Sequence, residues 1–159
     1  MPTLRELADA YIAGPAKLRT AVAGMSREQL LARPVPGKWS TLEVVCHVAD
    51  FEPILADRMK RVIALNRPAL LGADENQFAA KLAYHDRDLE EELTLIDVTR
   101  RQLARILRSL PEEAANRVGV HNERGPKTLA ELLTTAVNHI NHHAPFIDEK
   151  RAALGLPRS

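Results

Sequence analysis

Apolar residues recur every three or four positions along most of the chain, a period that is typical of amphipathic α-helices. This pattern predicts four long helices, with apolar stripes over residues 4–22, 44–62, 89–110 and 129–147. Ser40 is the predicted N-cap of the second helix, with Glu43 completing a capping box, and Thr128 is the predicted cap of the fourth. Three of the helices contain a proline and are expected to bend there, namely at Pro15, Pro53 and Pro145.

The segments between the long helices carry weaker signals. Residues 67–86 predict a long connection that contains one possible helical turn, and residues 118–126 predict a loop because they are rich in glycine and polar residues. No β-type alternation of useful length is present. The sequence therefore predicts an all-α protein, a four-helix bundle with a long connection after the second helix, and a single domain over residues 1–159.

The overall charge narrows the class of partner. The chain has 22 basic and 21 acidic residues and a formal net charge of +1, so it lacks the excess of positive charge that nucleic-acid binding requires. No apolar stretch approaches the roughly 20 residues that span a bilayer. One cysteine and the absence of a leader pattern favour a reducing cytoplasm, with neither nucleic acid nor membrane as partner.

Four of the six histidines lie on the predicted long helices, and helical wheels divide these four into two groups. His47, His139 and His143 lie about 60–100° from the centres of their apolar stripes, whereas His142 points roughly 160° away. His139 and His143 are one turn apart, so both can reach one divalent ion, with His47 as a third ligand. Such a site leaves a coordination position open for chemistry, but periodicity does not decide whether the second and fourth helices are neighbours.

Four further residues are candidates for roles near this site. Arg100 lies in the centre of the third apolar stripe, where it either pairs with a carboxylate such as Asp50 or Glu52 or binds an anionic substrate. Glu43 lies one turn before His47 and could orient it or handle a proton, although the capping box explains it equally well. Asp50 is a second candidate for acid–base work. His121 could reach the mouth of the site or be solvated.

Two motifs frame these candidate residues. The first is Gly37-Lys38-Trp39-Ser40-x-x-Glu43-x-x-x-His47-x-x-Asp50-x-Glu52, and the second is Gly125-x-x-Thr128-Leu129-x-Glu131-Leu132-Leu133 followed by His139-x-x-x-His143. Both motifs resemble those of the DinB-like, YfiT-like superfamily. The resemblance implies a four-helix bundle, a divalent metal on His47, His139 and His143, and commonly a homodimer. Pro145-Phe146 departs from the pattern, since relatives often carry a glutamine there.

The resemblance implies two kinds of enzyme. Relatives are metal-dependent hydrolases, or transferases and isomerases that use low-molecular-weight thiols such as bacillithiol or mycothiol. We therefore expect a Zn or Ni enzyme that acts on a small-molecule substrate, with Glu43 or Asp50 as general base in hydrolysis and Arg100 holding a substrate carboxylate. The alternative is a non-catalytic bundle that binds a metal or ligand in a stress response.

Overall fold

A computed structural model of the protein describes residues 1–159 and contains six α-helices and one small sheet. The helices are α1 (Leu4–Val22), α2 (Arg27–Leu31), α3 (Thr41–Ala64), α4 (Glu75–Lys81), α5 (Leu89–Arg108) and α6 (Leu129–Ala153). The strands are β1 (Ala69–Leu70), β2 (Val118–His121) and β3 (Gly125–Thr128), and short 3₁₀ helices cover Tyr84–Asp86 and Glu112–Asn116. None of the helices combines the length and apolar character that a bilayer crossing demands.

The four long helices form the predicted bundle, with the second and fourth of them side by side. The capping boxes at Ser40 and Thr128 begin α3 and α6, because each side chain accepts the backbone N–H three residues on. α1 packs against α5 and α6, and α3 packs against the same two helices. Consecutive long helices, α1 with α3 and α5 with α6, therefore lie diagonally across the bundle. This order places α3 beside α6, which periodicity left open.

The loop predicted over residues 118–126 is instead part of a small β-sheet. Residues 118–128 form a hairpin of β2 and β3, and β1 adds to β2 in parallel, so the connection after α3 is anchored to the loop before α6. Strands of two and four residues are too short to show a two-residue alternation. The predicted helical turn in the connection is a helix of two turns, α4, which Asp74 caps.

Two apolar clusters fill the bundle, one at each end. One cluster contains Tyr11, Leu55, Leu103 and Ala136, and the other contains Leu18, Val48, Ile96 and Ile140. Between these levels lie Glu52 on α3 and Arg100 on α5, whose side chains have no exposed surface. The core is thus two apolar layers with one buried ion pair between them.

Arg100 bonds to all of the other three long helices. Its Nε and Nη2 donate to the carboxylate of Glu52 at 2.7 and 3.1 Å, its Nη1 donates to the carbonyl of Tyr11, and its Nη2 also donates to the carbonyl of Ala136, both at 2.8 Å. The Tyr11 carbonyl is free because Pro15 has no N–H to donate to it. Gly14 leaves room for the guanidinium, since a Cβ there would collide with it.

We predict that either half of this ion pair is essential to stability and that the pair as a whole is replaceable. Arg100→Met or Glu52→Gln leaves a buried charge unpaired and is expected to cost about 3–5 kcal/mol in the free energy of unfolding. The double variant Arg100→Met/Glu52→Leu should cost much less than the sum of the two single changes. Urea unfolding followed by circular dichroism measures all three values.

The surface ion pair between Arg108 and Asp9 provides a matched control. Both side chains are largely in solvent, so Arg108→Met should change the midpoint of unfolding very little. Equal losses for Arg100→Met and Arg108→Met would contradict the role assigned to the buried pair.

Candidate metal centre

Three histidines from two adjacent helices converge on one point. His47 of α3 lies opposite His139 and His143 of α6, with its Nε2 at 3.0 Å from the Nε2 of His139 and 3.1 Å from that of His143. The helix spacing brings this about, because His139 and His143 are one turn apart and α6 runs beside α3. The structure thus brings together the three histidines that the helical wheel singled out, and these could hold a metal ion.

The spacing and protonation of the three rings fit a divalent ion. Three imidazoles bound tetrahedrally at 2.0–2.1 Å would hold their nitrogens about 3.3 Å apart. The Nε2 of His47 lies 3.0 and 3.1 Å from the other two, and the three ligand atoms all lie within 4.8 Å of one another. Burial lowers the pKa of His47 to about 4, that of His139 to about 3 and that of His143 to about 4. The rings are therefore neutral near pH 7 and keep the lone pairs that a metal needs.

Aromatic packing holds the His47 ring in place. The ring lies between Trp39 and Phe51, with centroid separations of 5.2 and 4.8 Å, and it is 1% exposed. No protein group hydrogen-bonds to Nδ1 of His47 or of His139. The usual carboxylate or carbonyl partner of a metal-binding histidine is thus absent at these two rings, and packing sets the orientation of His47.

Glu75 is the carboxylate nearest to this cluster, and the sequence did not single it out. Its Oε2 lies 3.5 Å from Nε2 of His47, and its side chain is half exposed. α4 carries it there: Asp74 caps the helix, and Phe78, on the same face as Glu75, stacks on Phe51 at 5.5 Å. In the sequence, the N-cap residue Asp74 could have indicated the start of α4. Seven residues are too few for apolar periodicity to show which face of that helix is turned towards α3.

Glu43 and Asp50, the predicted acid–base candidates, are engaged elsewhere. Glu43 Oε1 accepts from Arg33 Nε at 2.8 Å and from the backbone N–H of Ser40 at 3.0 Å. Burial works to raise the pKa of Glu43, but the bonds from Arg33 and Ser40 outweigh it and hold the pKa below its ordinary value. Asp50 forms an ion pair with Arg87 at 2.6 Å. Neither carboxylate is hydrogen-bonded to a histidine of the cluster.

Three other residues considered in the sequence analysis, Arg100, His121 and Cys46, do not contribute to the histidine cluster. Arg100 is fully buried and its guanidinium is taken up by Glu52 and two carbonyls, which leaves no exposed surface for a substrate. His121 ends β2, and its Nδ1 accepts the backbone N–H groups of Glu123 and Arg124 across the hairpin turn. Burial raises the pKa of Cys46 to about 12, so its thiol is not a nucleophile near pH 7.

Several cavities border α3, and one of the smaller ones has a histidine of the cluster in its lining. A cavity of about 220 Å³ has His143 in its wall, together with Trp39 and Phe146. A larger groove of about 880 Å³ lies on the other side of Phe78 and contains none of the three histidines. We therefore take the smaller cavity as the approach to the cluster.

The chain is similar to known proteins over most of its length. A family model described as the DinB superfamily matches residues 10–147. A protein of Geobacillus thermodenitrificans named "Putative metal-dependent hydrolase" is 29% identical over 154 residues, covering 96% of this chain and 82% of the relative. YfiT of Bacillus subtilis, which carries the same description, is 28% identical over 142 residues, covering 89% and 80%.

A solved structure shares the fold. The structure of YfiT from Bacillus subtilis matches this chain with a TM-score of 0.89 and 26% identity, over 97% of this chain and 89% of YfiT. It is described as "a probable metal-dependent hydrolase with an unusual four-helix bundle topology". In the present chain, α1 and α3 lie diagonally, as do α5 and α6, whereas consecutive helices are neighbours in a simple up-and-down bundle.

The stability of the metal-free protein is predicted to fall as the pH drops from 6.5 to 5. The folded pKa values of the three histidines lie below the ordinary value of 6.5, so the unfolded chain binds more protons in this range. Each histidine should contribute at most roughly 1.4 kcal/mol per pH unit to the slope of the free energy of unfolding against pH. Urea unfolding at several pH values measures it. His143→Ala removes one of the three groups and should reduce the slope; an undiminished slope in this variant would refute the assignment.

Proposed function

This chain belongs to the DinB superfamily, and on that basis we propose that it is a metal-dependent hydrolase that acts on a small-molecule substrate. The observation that carries the proposal is the convergence of the three histidine Nε2 atoms beside a cavity. The names of the relatives support hydrolysis in particular.

We propose His47, His139 and His143 as the metal ligands, each through Nε2. Three neutral imidazoles suit several late first-row ions, and Zn or Ni is the metal we propose here. A structural zinc site closes its shell with four protein ligands, whereas three histidines leave a position open, as catalytic sites do. The absence of a cysteine from the cluster agrees with an imidazole site, since Cys46 is buried against the carbonyl of Tyr84.

The chain's own residues would supply the rest of the site. When bound, the ion would act as a Lewis acid and lower the pKa of a water or thiol at the open position. Trp39 and Phe51 keep bulk water from one side of His47, which strengthens electrostatic interactions there. Burial is the largest cause of the low pKa of His139, followed by the charges of His47 and His143. The nearby positive charge of Arg100 lowers the pKa of His139 further.

Glu75 is the residue we propose for proton transfer. Its Oε2 lies on the open side of His47 and its side chain is half exposed, so it can both reach the site and exchange protons with solvent. In hydrolysis, Glu75 Oε2 would accept the proton that the attacking water loses as its oxygen bonds to the substrate carbon. The same oxygen would return that proton to the leaving group.

Thiol transfer is the second reaction that the family resemblance implies, and it would use the same three histidines as metal ligands. A low-molecular-weight thiol would then replace water as the nucleophile, and Glu75 would take the proton of the thiol. The two reactions are separated by the products formed when esters, amides and electrophiles are offered with and without a thiol.

Metal content tests the proposed ligands. The purified protein is expected to bind about one Zn or Ni ion per chain, and His47→Ala or His143→Ala should weaken that binding by more than roughly 100-fold. His142→Ala is the matched control, because His142 lies beside His143 in sequence but is exposed. Inductively coupled plasma mass spectrometry after dialysis against defined metal concentrations measures the content. Undiminished metal content in His47→Ala and His143→Ala would refute the proposed three-histidine site.

A comparison of two carboxylates tests the proton-transfer role. Glu75→Gln should lower kcat by about 10²–10⁴-fold while metal content stays at the wild-type level. Glu43→Gln should leave kcat near wild type, because glutamine can still complete the capping box at Ser40. The reverse ranking of the two variants would assign the proton to Glu43, and loss of metal in Glu75→Gln would make Glu75 a ligand instead.

A further inference from the structure

The cavity beside His143 has apolar walls on one side. Trp39, Val44 and Phe146 contribute to its lining, and its volume of about 220 Å³ is small for a ligand pocket. His143 is the histidine of the cluster that lines this cavity, so a ligand in the cavity contacts the cluster through His143. A substrate held at the cluster would therefore extend into this space.

Lys150 is an unusual member of the same wall. It is 2% exposed, and its Nζ makes one contact, a donation at 3.3 Å to the carbonyl of Phe146 on its own helix. No carboxylate forms an ion pair with it. A buried ammonium without a counter-ion is unfavourable, so its retention calls for an explanation.

The other buried basic side chains are well supplied with partners. Arg100 is paired with Glu52, Arg58 donates twice to the carbonyl of Leu71, and Arg151 donates to three carbonyls that include the end of α1. Lys150 alone among them lines a cavity with a single long contact. Its surroundings leave a place for an anion that the protein does not itself fill.

Charges of both signs surround Lys150, but none of the carboxylates forms an ion pair with it. Lys38 and Glu149 lie in the same lining, both exposed, and Glu149 immediately precedes Lys150 on α6. Burial lowers the pKa of Lys150, an effect that Glu149 and Glu43 oppose and Lys38 reinforces. An arriving anion would reverse this effect, because a negative charge nearby favours the charged form of lysine.

We propose that Lys150, with Lys38 at the entrance, forms a subsite for a carboxylate of the substrate, whose reacting atom lies at the three histidines. One ammonium among apolar walls suits a single carboxylate on an apolar chain, rather than a phosphate, which backbone N–H groups or arginines usually surround. This proposal rests on the proposed function for the position of the reacting atom. It moves the anion-binding role expected of Arg100 to a lysine that borders a cavity.

The helix sets the distance between the two ends of such a substrate. Lys150 lies two turns beyond His143 on the same face of α6, and its side chain leans back towards Phe146. The ammonium and the histidine nitrogen are thus separated by one to two turns, roughly 5–10 Å. The substrate class is therefore a short acid whose carboxylate lies roughly 5–10 Å from its reacting group, a length of about two or three residues of extended chain.

Trp39 makes the subsite measurable without a metal or an activity assay. It is the only tryptophan of the chain and it lines the cavity, so its fluorescence reports on what enters. Metal-free and metal-loaded protein are titrated with hexanoate and with hexanol, which share an apolar chain and differ in charge. Hexanoate is expected to bind on the order of tenfold more tightly than hexanol. Equal binding of the two in the wild-type protein would overturn the proposal.

Variants then assign the preference to one lysine. Lys150→Met should abolish the preference for hexanoate, and Lys127→Met, a lysine of the hairpin outside the cavity, should preserve it. Thermal unfolding should show Lys150→Met to be at least as stable as wild type, because a buried charge without a counter-ion is removed. A preference that survives Lys150→Met would exclude this subsite.

The metal-free titration keeps this test separate from that of the proposed function. If the histidines bind no metal, the difference between hexanoate and hexanol can still be read, and the subsite stands as an acid-binding site. If metal binds to the histidines but hexanoate shows no preference, only the subsite is refuted.

Discussion

The buried pair of Arg100 and Glu52 is the constraint on which the rest of the bundle depends. Four hydrogen bonds from one guanidinium fix the levels of α1, α3 and α6 relative to α5, since each bond requires a particular residue at the crossing. His139 lies three residues, about one helical turn, after Ala136. The hydrogen bond to the carbonyl of Ala136 therefore also fixes the position of His139 along the bundle axis. The convergence of the histidines follows from this register.

The fold could be predicted where a single helix carries its own signal. The capping boxes at Ser40 and Thr128 located two helix starts, and the apolar stripes gave four helices of nearly the observed length. The hairpin and β1 could not be predicted, because four residues on one strand and two on another rely on hydrogen bonds between distant segments. The diagonal placement of α1 with α3 and of α5 with α6 depends likewise on tertiary packing and on no local pattern.

The candidate site divides in the same way. His139 and His143 could be paired from their spacing on one helix, while the position of His47 opposite them requires α3 and α6 to be neighbours. The position of Glu75 near His47 could not be predicted, because Glu75 lies on a short helix in the connection. The ion pair of Glu43 with Arg33 could not be predicted either, because a helical wheel does not show which partners a carboxylate has. Arg100 was correctly seen as out of place in an apolar stripe, and the structure supplies its partner, Glu52.

The proposed metal centre depends on one geometric feature, three imidazoles on two adjacent helices that share a single ion. Two apolar layers and an ion pair set the helix positions, packing against Trp39 and Phe51 sets the ring of His47, and the low pKa values keep the nitrogens available. The most direct measurement is a crystal structure of metal-loaded protein with anomalous data at the absorption edge of the metal. The account predicts one peak between the Nε2 atoms of His47, His139 and His143. A peak at any other group of ligands would contradict it.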